Sequence, residues 1–237
     1  MTIKWEEITK DSRIHLEEVL KLYDEAFPID IREPHHIFDK ALESFGQNPP
    51  NTFRFLVGLK NGRPVSFTTG HYLAKANCGF IVYLGTDHHE RSKGLGSQAL
   101  RVIEEYLNRD AVLAGNDSIK AFVLETEKLE AAETEAEREA CLKRDHFYKM
   151  NGYQIYKDID YVQPPLNGGN EIIPLKLLIK KRQQSEITAA EVQKLIYAMY
   201  VQKYLLVNNI SIKELNGCLK AMSIPAAIKT DSTIGKC

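Results

Sequence analysis

Asn61-Gly62 stands between two runs of strand-forming residues, TFRFLVGLK and VSFTTGHYLAK. An Asn-Gly pair in that setting reads as a two-residue hairpin, because both central positions of the favoured turn need a positive φ that these residues tolerate best. The turn makes the flanking strands adjacent and antiparallel. A third strand, Phe80 to Leu84, follows after KANC, so the middle of the chain is an antiparallel meander. Its last strand feeds ERSKGLGSQAL, two glycines and two basic residues at the mouth of a helix expected over Leu95 to Leu107.

The flanks follow from periodicity. Ile3 to Thr9 alternates as a first strand, and HLEEVLKLYDEAF carries the stripe Leu16, Val19, Leu20 and Tyr23 of an amphipathic helix. A second helix is expected over HHIFDKALESF, after the connection PIDIREP. Beyond the central helix, NRDAVLAGNDS reads as a turn and IKAFVLET as a strand. Thr134 and Glu137 form the T-x-x-E capping box of a long helix that Gly152 should stop. YQIYKD, DIDYVQ and PLKLLIKK are strand-like, ITAAEVQKLIYAMYVQKYLLV is an amphipathic helix, and SIKELNGCLKAM a shorter one. The tail after Pro225 reads as loosely ordered. The order β-α-α-β-β-β-α-β-α-β plus an extension is α+β, with a mixed, mostly antiparallel central sheet flanked by helices and a C-terminal helical extension.

Composition removes several classes. There are 31 basic against 32 acidic residues among 237, a net charge of −1, where a nucleic-acid binder normally shows a basic surplus. No run approaches the 18 or so apolar residues that span a bilayer, and MTIKWEEITKDSR has no apolar signal core. The four cysteines, Cys78, Cys141, Cys218 and Cys237, form no C-x-x-C pair, which fits free thiols in a reducing compartment. A soluble, cytoplasmic protein is therefore expected, with neither nucleic acid nor membrane as partner. His35-His36 and His88-His89 lack the i, i+4 spacing of helical metal ligands, and no metal is assigned.

Gly94 and Gly96 let backbone N–H groups approach a ligand where a helix begins, and unpaired donors at a positive dipole end favour a phosphate or pyrophosphate. Arg91 and Lys93 add charge there. A Walker loop is excluded, since Lys93 precedes Gly94 and no hydroxyl follows a Gly-Lys pair. Gly94-Leu-Gly96-Ser-Gln-Ala99 matches the dinucleotide pattern in letters, which leaves an NAD-dependent oxidoreductase as a weak alternative. That pattern, however, needs its first glycine directly after a parallel strand.

Arg91-Ser-Lys-Gly94-Leu-Gly96, placed between an antiparallel fourth strand and a helix, resembles the R-x-x-G-x-G pyrophosphate loop of the GNAT superfamily of acyl-CoA-dependent N-acyltransferases. IKAFVLETE followed by FYKMNGYQIY resembles the family's fifth strand and Tyr-x-x-x-Gly-aromatic segment, with Tyr148, Gly152 and Tyr153 in that spacing. The resemblance covers roughly Ile3 to Gln163. It implies a GNAT-like N-acetyltransferase domain over 1–166 and a C-terminal strand and helical extension over 167–237.

The resemblance further implies acetyl-CoA as co-substrate, with Arg91, Ser92, Lys93, Gly94, Leu95, Gly96 and Ser97 at the pyrophosphate and Tyr83, Leu84 and Gly85 at the pantetheine and acyl carbonyl. It implies transfer of an acetyl group to a primary amine, expected to be a small molecule, by direct attack. Tyr148 stands at the family's acid position. Glu125, near the end of the fifth strand, is the candidate base, and Glu127 follows on the same face. Asp30 and Glu33, in the connection between the first two helices, are candidate acceptor contacts. A GNAT-like module that binds acyl-CoA without turnover is the alternative. The C-terminal helix either covers its own sheet or builds a homodimer, with packing on its own domain the simpler expectation.

Overall fold

The computed structural model describes residues 3–27, 29, 32–44, 49–166, 172–182 and 187–229. The chain divides into two compact units, Met1–Ile119 and Lys120–Cys237. This division precedes the fifth strand, whereas the sequence places its domain boundary at residue 166.

In the first unit β1 (Lys4–Glu7), β2 (Thr52–Lys60), β3 (Arg63–Leu73) and β4 (Cys78–Thr86) pair in chain order, each antiparallel to the next. The β2–β3 hairpin turns at Asn61 (φ 53°) and Gly62 (φ 80°), as the Asn-Gly pair predicts. Both faces of these strands are buried, which explains their near-continuous apolar character. Phe55 meets Phe38 from α2 (His35–Ser44), Phe67 meets Tyr23 from α1 (Leu16–Ala26), and Phe53 packs on Phe55. The opposite face takes α3 (Leu95–Leu113): a Cβ on Gly70 would touch Leu107 at 3.1 Å and Ile103 at 3.3 Å.

The helix α3 corrects the expected turn at NRDAVLAGNDS, since it runs on to Leu113. Burial decides the matter. Leu107, Asp110 and Ala111 are buried, and Asp110 accepts from Thr52 Oγ1 at 2.6 Å and Arg54 Nε at 2.9 Å. A carboxylate that looks like loop material is the partner of a buried arginine. The dinucleotide reading needs its first glycine directly after the strand, whereas the short turn His88–Glu90 stands between the end of β4 (Cys78–Thr86) and Gly94.

In the second unit β8 (Ile173–Lys181) pairs antiparallel with β5 (Ala121–Glu127) along its length, with β6 (Gln154–Ile155) on its other side and β7 (Val162–Gln163) at its start. YQIYKD and DIDYVQ thus yield only two strand residues each. The predicted capping box of α4 (Glu135–Met150) is present: Thr134 Oγ1 accepts from Glu137 N–H at 3.2 Å, and Glu137 Oε2 accepts from Thr134 N–H at 3.0 Å. Gly152 ends the helix at φ 89°, with Tyr153 N–H donating to Tyr148 C=O at 3.0 Å.

The extension departs from one uniform helix. α5 (Ala189–Met199) passes into a π-helical stretch, Tyr200–Leu205, and α6 (Ile212–Ala221) follows. Val192, Leu195, Ile196 and Met199 are buried as the sequence stripe predicts. Of the tail after Pro225 only residues 226–229 are described, and Ile228 is buried there; the rest lies outside the described residues. Asn216 brackets Ile228 through its main-chain N–H and C=O at 3.2 and 3.0 Å. Cys78, Cys141 and Cys218 are free and buried, and burial pushes the Cys78 thiol up to about 12. Among the described residues no helix is long and apolar enough to cross a membrane.

Candidate active site

The turn after β4 is organised by two carboxylates. Asp87 accepts from His89 N–H at 2.9 Å and opens the short turn His88–Glu90. Glu90 receives Lys60 Nζ at 2.6 Å and Lys93 Nζ at 2.9 Å, and these two bonds hold its carboxyl down to about 2. Ser92 and Gly94 then take left-handed φ values of 62° and 77°. A Cβ at Gly94 would meet nothing within 4 Å, so the backbone angle, not crowding, favours glycine there.

This path delivers α3 with no side-chain cap on its N-terminus. The first i→i−4 bond runs from Gln98 N–H to Gly94 C=O at 3.1 Å. The N–H groups of Leu95, Gly96 and Ser97 precede that bond and have no acceptor inside the helix. Three converging donors at the positive end of a 19-residue helix suit an anion. Arg91 is exposed and has no ion pair among the described residues. Lys93 differs from the sequence expectation in one respect: its Nζ is occupied by Glu90 and by His89 C=O at 3.1 Å. Asp87, His88 and His89 also bring three potential ligand atoms within 4.8 Å of one another. Asp87 is already committed to His89 N–H and to Arg63 at 3.4 Å, so the group shapes the turn.

The second unit holds a carboxylate cradle. Glu125 is half-buried near the end of β5. Its Oε1 accepts from Tyr161 Oη and from Tyr204 Oη, the latter at 2.8 Å. Its Oε2 accepts from Gln163 Nε2 at 2.7 Å and lies 2.7 Å from the same Tyr204 hydroxyl. Gln163 Nε2 also reaches Tyr204 Oη at 3.2 Å. Burial first, and then the Glu125 charge, raise both phenols far above their ordinary range, so both act as neutral donors. Glu127 lies two residues on, and the Arg144 guanidinium takes its carboxylate.

Tyr148 occupies the last turn of α4, its ring against Phe147 at 5.1 Å and Tyr153 at 5.9 Å. Burial pushes its phenol up to about 12. Its hydroxyl has no hydrogen-bond partner among the described residues, while its C=O is tied into the helix end. The phenol is therefore neutral, and its hydroxyl proton is not engaged by any described residue.

The family model for the GNAT acetyltransferase family matches residues 16–124. That span holds the meander, the turn and most of β5. Residues 16–124, a little under half of the chain, carry the GNAT acetyltransferase domain. Solved structures repeat the fold. A GNAT-family acetyltransferase from Bacteroides thetaiotaomicron aligns at a TM-score of 0.63 with 19% identity, over 88% of this chain and all (100%) of that one. The PaiA N-acetyltransferase of Thermoplasma acidophilum, solved with coenzyme A, aligns at 0.50 with 14% identity, over 76% of this chain and 99% of its own. An aminoglycoside 6'-N-acetyltransferase, also complexed with coenzyme A, aligns at 0.51 with 14% identity, over 78% and 99%. No curated protein matches the chain.

Within this GNAT domain the remaining expected residues are placed as follows. Tyr83 points its ring into an aromatic cluster with Tyr23 at 4.9 Å and Phe27 at 5.1 Å. Gly85 is enforced by packing, since a Cβ there would lie 2.2 Å from the Phe67 ring, and its C=O accepts from Ser66 Oγ at 2.8 Å. Leu84 lies between them on β4. Glu33 is buried, and its N–H is held by Tyr23 Oη at 2.6 Å and Tyr83 Oη at 3.2 Å. The helix connection is thus tied to β4 through Tyr83. Asp30 lies outside the described residues. Sequence reasoning missed Tyr161, Gln163 and Tyr204. The i, i+2 alternation of Tyr161 and Gln163 beside a strand would have put both on one face. Nothing in the sequence announces Tyr204.

Proposed function

We propose that this acetyltransferase moves an acetyl group from acetyl-CoA to a primary amine of a small molecule by direct attack. The observation that carries the reading is the uncapped start of α3, three free N–H groups beyond a left-handed Gly94 with Arg91 beside them. Relatives of this fold solved with coenzyme A support the same cofactor class. Leu95, Gly96 and Ser97 hold the pyrophosphate through main-chain donors, Arg91 adds charge, and Ser92 and Lys93 shape the turn. Main-chain groups of Tyr83, Leu84 and Gly85 meet pantetheine and the acyl carbonyl. Acetyl-CoA supplies an activated thioester carbonyl.

The reaction forms a C–N bond and breaks the C–S bond. The amine must first lose its ammonium proton, and the departing thiolate must gain one. Glu125 takes the first proton and Tyr148 Oη supplies the second. The choice of Glu125 over Glu127 rests on their partners. Glu127 is paired with the Arg144 guanidinium, whereas Glu125 is held by two phenols and an amide. A phenol can donate to a carboxylate or accept from a carboxylic acid, so it tolerates both protonation states. Glu127, Glu33 and Asp30 are left as acceptor contacts.

Thermal unfolding with acetyl-CoA, coenzyme A, NAD and ATP supplied separately tests the cofactor. A ligand at a hundred times its Kd stabilises by about 2.7 kcal/mol. Shifts with the coenzyme A species alone are expected, followed by thiol release with a panel of primary amines. No shift with either coenzyme A species would sink the reading.

A further inference from the structure

β7 is two residues long, yet the C-terminal extension grips both it and the carboxylate beside it. Tyr200 Oη donates to Val162 C=O at 2.5 Å, and Tyr204 Oη reaches Glu125 and Gln163. Both tyrosines belong to the π-helical stretch Tyr200–Leu205, and their rings pack edge to face at 5.6 Å. π-helical turns are rare, with poorer packing than an α-helix, and persist mostly where tertiary contacts require them. The family match ends at residue 124, so Tyr161, Gln163 and Tyr204 all lie outside the matched region.

We propose that Tyr204 is a positioning residue for acyl transfer: the C-terminal extension completes the hydrogen-bond cradle of Glu125, and turnover depends on that contact. The inference rests on the reading of Glu125 as the base. Three features support it. The Tyr204 hydroxyl lies within hydrogen-bond distance of both carboxylate oxygens, so it fixes the rotation of the carboxylate plane. It is buried, so water does not compete for the bond. Its hydroxyl can also reverse, donating while Glu125 is ionised and accepting once Glu125 holds the amine's proton.

The test uses the full-length chain. Glutamate carboxyl signals are followed by 13C NMR as a function of pH, with the Glu125 signal identified by its loss in Glu125→Gln. Removing a donor from an anion disfavours the anion. Tyr204→Phe should therefore move the Glu125 titration to higher pH, while Tyr200→Phe, whose hydroxyl bonds Val162 C=O and reaches Glu125 only by way of Tyr161, should move it much less. With the best amine from the panel, kcat of Tyr204→Phe should fall roughly tenfold as positioning is lost, with an unchanged KM for acetyl-CoA. The ascending limb of its pH profile should move upward by the same amount as the carboxyl titration.

An unmoved titration, or an equal shift in Tyr200→Phe, overturns the positioning role. Glu125→Gln turning over at the normal rate overturns the base reading instead, which separates the two failures. Each tyrosine variant removes buried hydrogen bonds, so a drop in Tm in either reports packing and does not touch the titration comparison.

Discussion

Tyr204 stands 79 residues after Glu125, and its hydroxyl lies 2.8 and 2.7 Å from the two carboxylate oxygens. That contact ties the C-terminal extension to a group at the end of β5. The buried stripe of α5 alone would suit an element that merely covers a sheet. The tyrosine adds something a cover does not need: a polar bond, inside a buried setting, to the carboxylate proposed to take the acceptor's proton.

Replacing Tyr148 by Phe separates chemistry from folding. The hydroxyl makes no hydrogen bond among the described residues, so its loss should leave the unfolding free energy within about 0.5 kcal/mol of wild type. Loss of the acid should lower kcat by about a hundredfold, with acetyl-CoA binding unchanged. The phenol is pushed up to about 12 by burial, so it stays protonated, and competent as an acid, at every pH below that value. A pH profile should therefore show no descending limb from Tyr148 below about pH 11. Steady-state kinetics beside thermal unfolding decide this, and a normal kcat removes Tyr148 from the mechanism.

The two carboxylates at the end of β5 should behave differently. Glu125→Gln should cost about a hundredfold in kcat, the lower end of what a positioned base contributes. Glu127→Gln leaves Arg144 without its half-exposed partner and should change kcat by no more than about fivefold, the size of such an ion pair. Equal losses in the two variants would mean that the partners of a carboxylate do not choose the base here.

Gly94→Ala addresses the anion site through the backbone alone. The position has φ 77° and open space around a Cβ, so alanine adds strain without a clash. A non-glycine residue in that region costs about 1–2 kcal/mol. The chain can relieve it by letting the turn relax, at the expense of the three aligned N–H groups. Acetyl-CoA should then bind roughly tenfold more weakly. Calorimetric titration measures it, and unchanged affinity would show that the turn does not hold the ligand.

Legibility in the sequence followed how local each cause is. The hairpin at Asn61-Gly62, the capping box at Thr134 and Glu137 and the stop at Gly152 depend on a few neighbouring residues, and all three are present. The end of α3 was misread because Asp110 draws its stability from Arg54, far away in the chain. The left-handed glycine turn at the start of α3 was legible because its signal is local, but the diversion of Lys93 was not, since Glu90 also needs Lys60 from β2. Glu125 was found from strand position, while Tyr161, Gln163 and Tyr204 were missed because each meets it through a non-local contact. A π-helical stretch carries no periodicity that distinguishes it from an α-helix.

Arg91 and Lys93 look equivalent in the sequence and should not be equivalent in binding. Arg91 is exposed and has no ion pair among the described residues, so its charge is available to a bound pyrophosphate. Lys93 is held by Glu90, whose carboxyl is down at about 2. A depressed carboxyl keeps its stabilising pair above the ordinary carboxylate range and loses it only as the pH falls toward the depressed value. Lys93 therefore stays committed across neutral and mildly acid pH. Arg91→Ala should weaken acetyl-CoA binding by about fivefold, less at high salt, with Tm unchanged. Lys93→Ala should weaken it by less than about twofold at neutral pH, because most of the lysine's charge is already neutralised. Kd measured at two salt concentrations for both variants checks this; a larger loss from Lys93→Ala would mean that ligand binding pulls the lysine off Glu90.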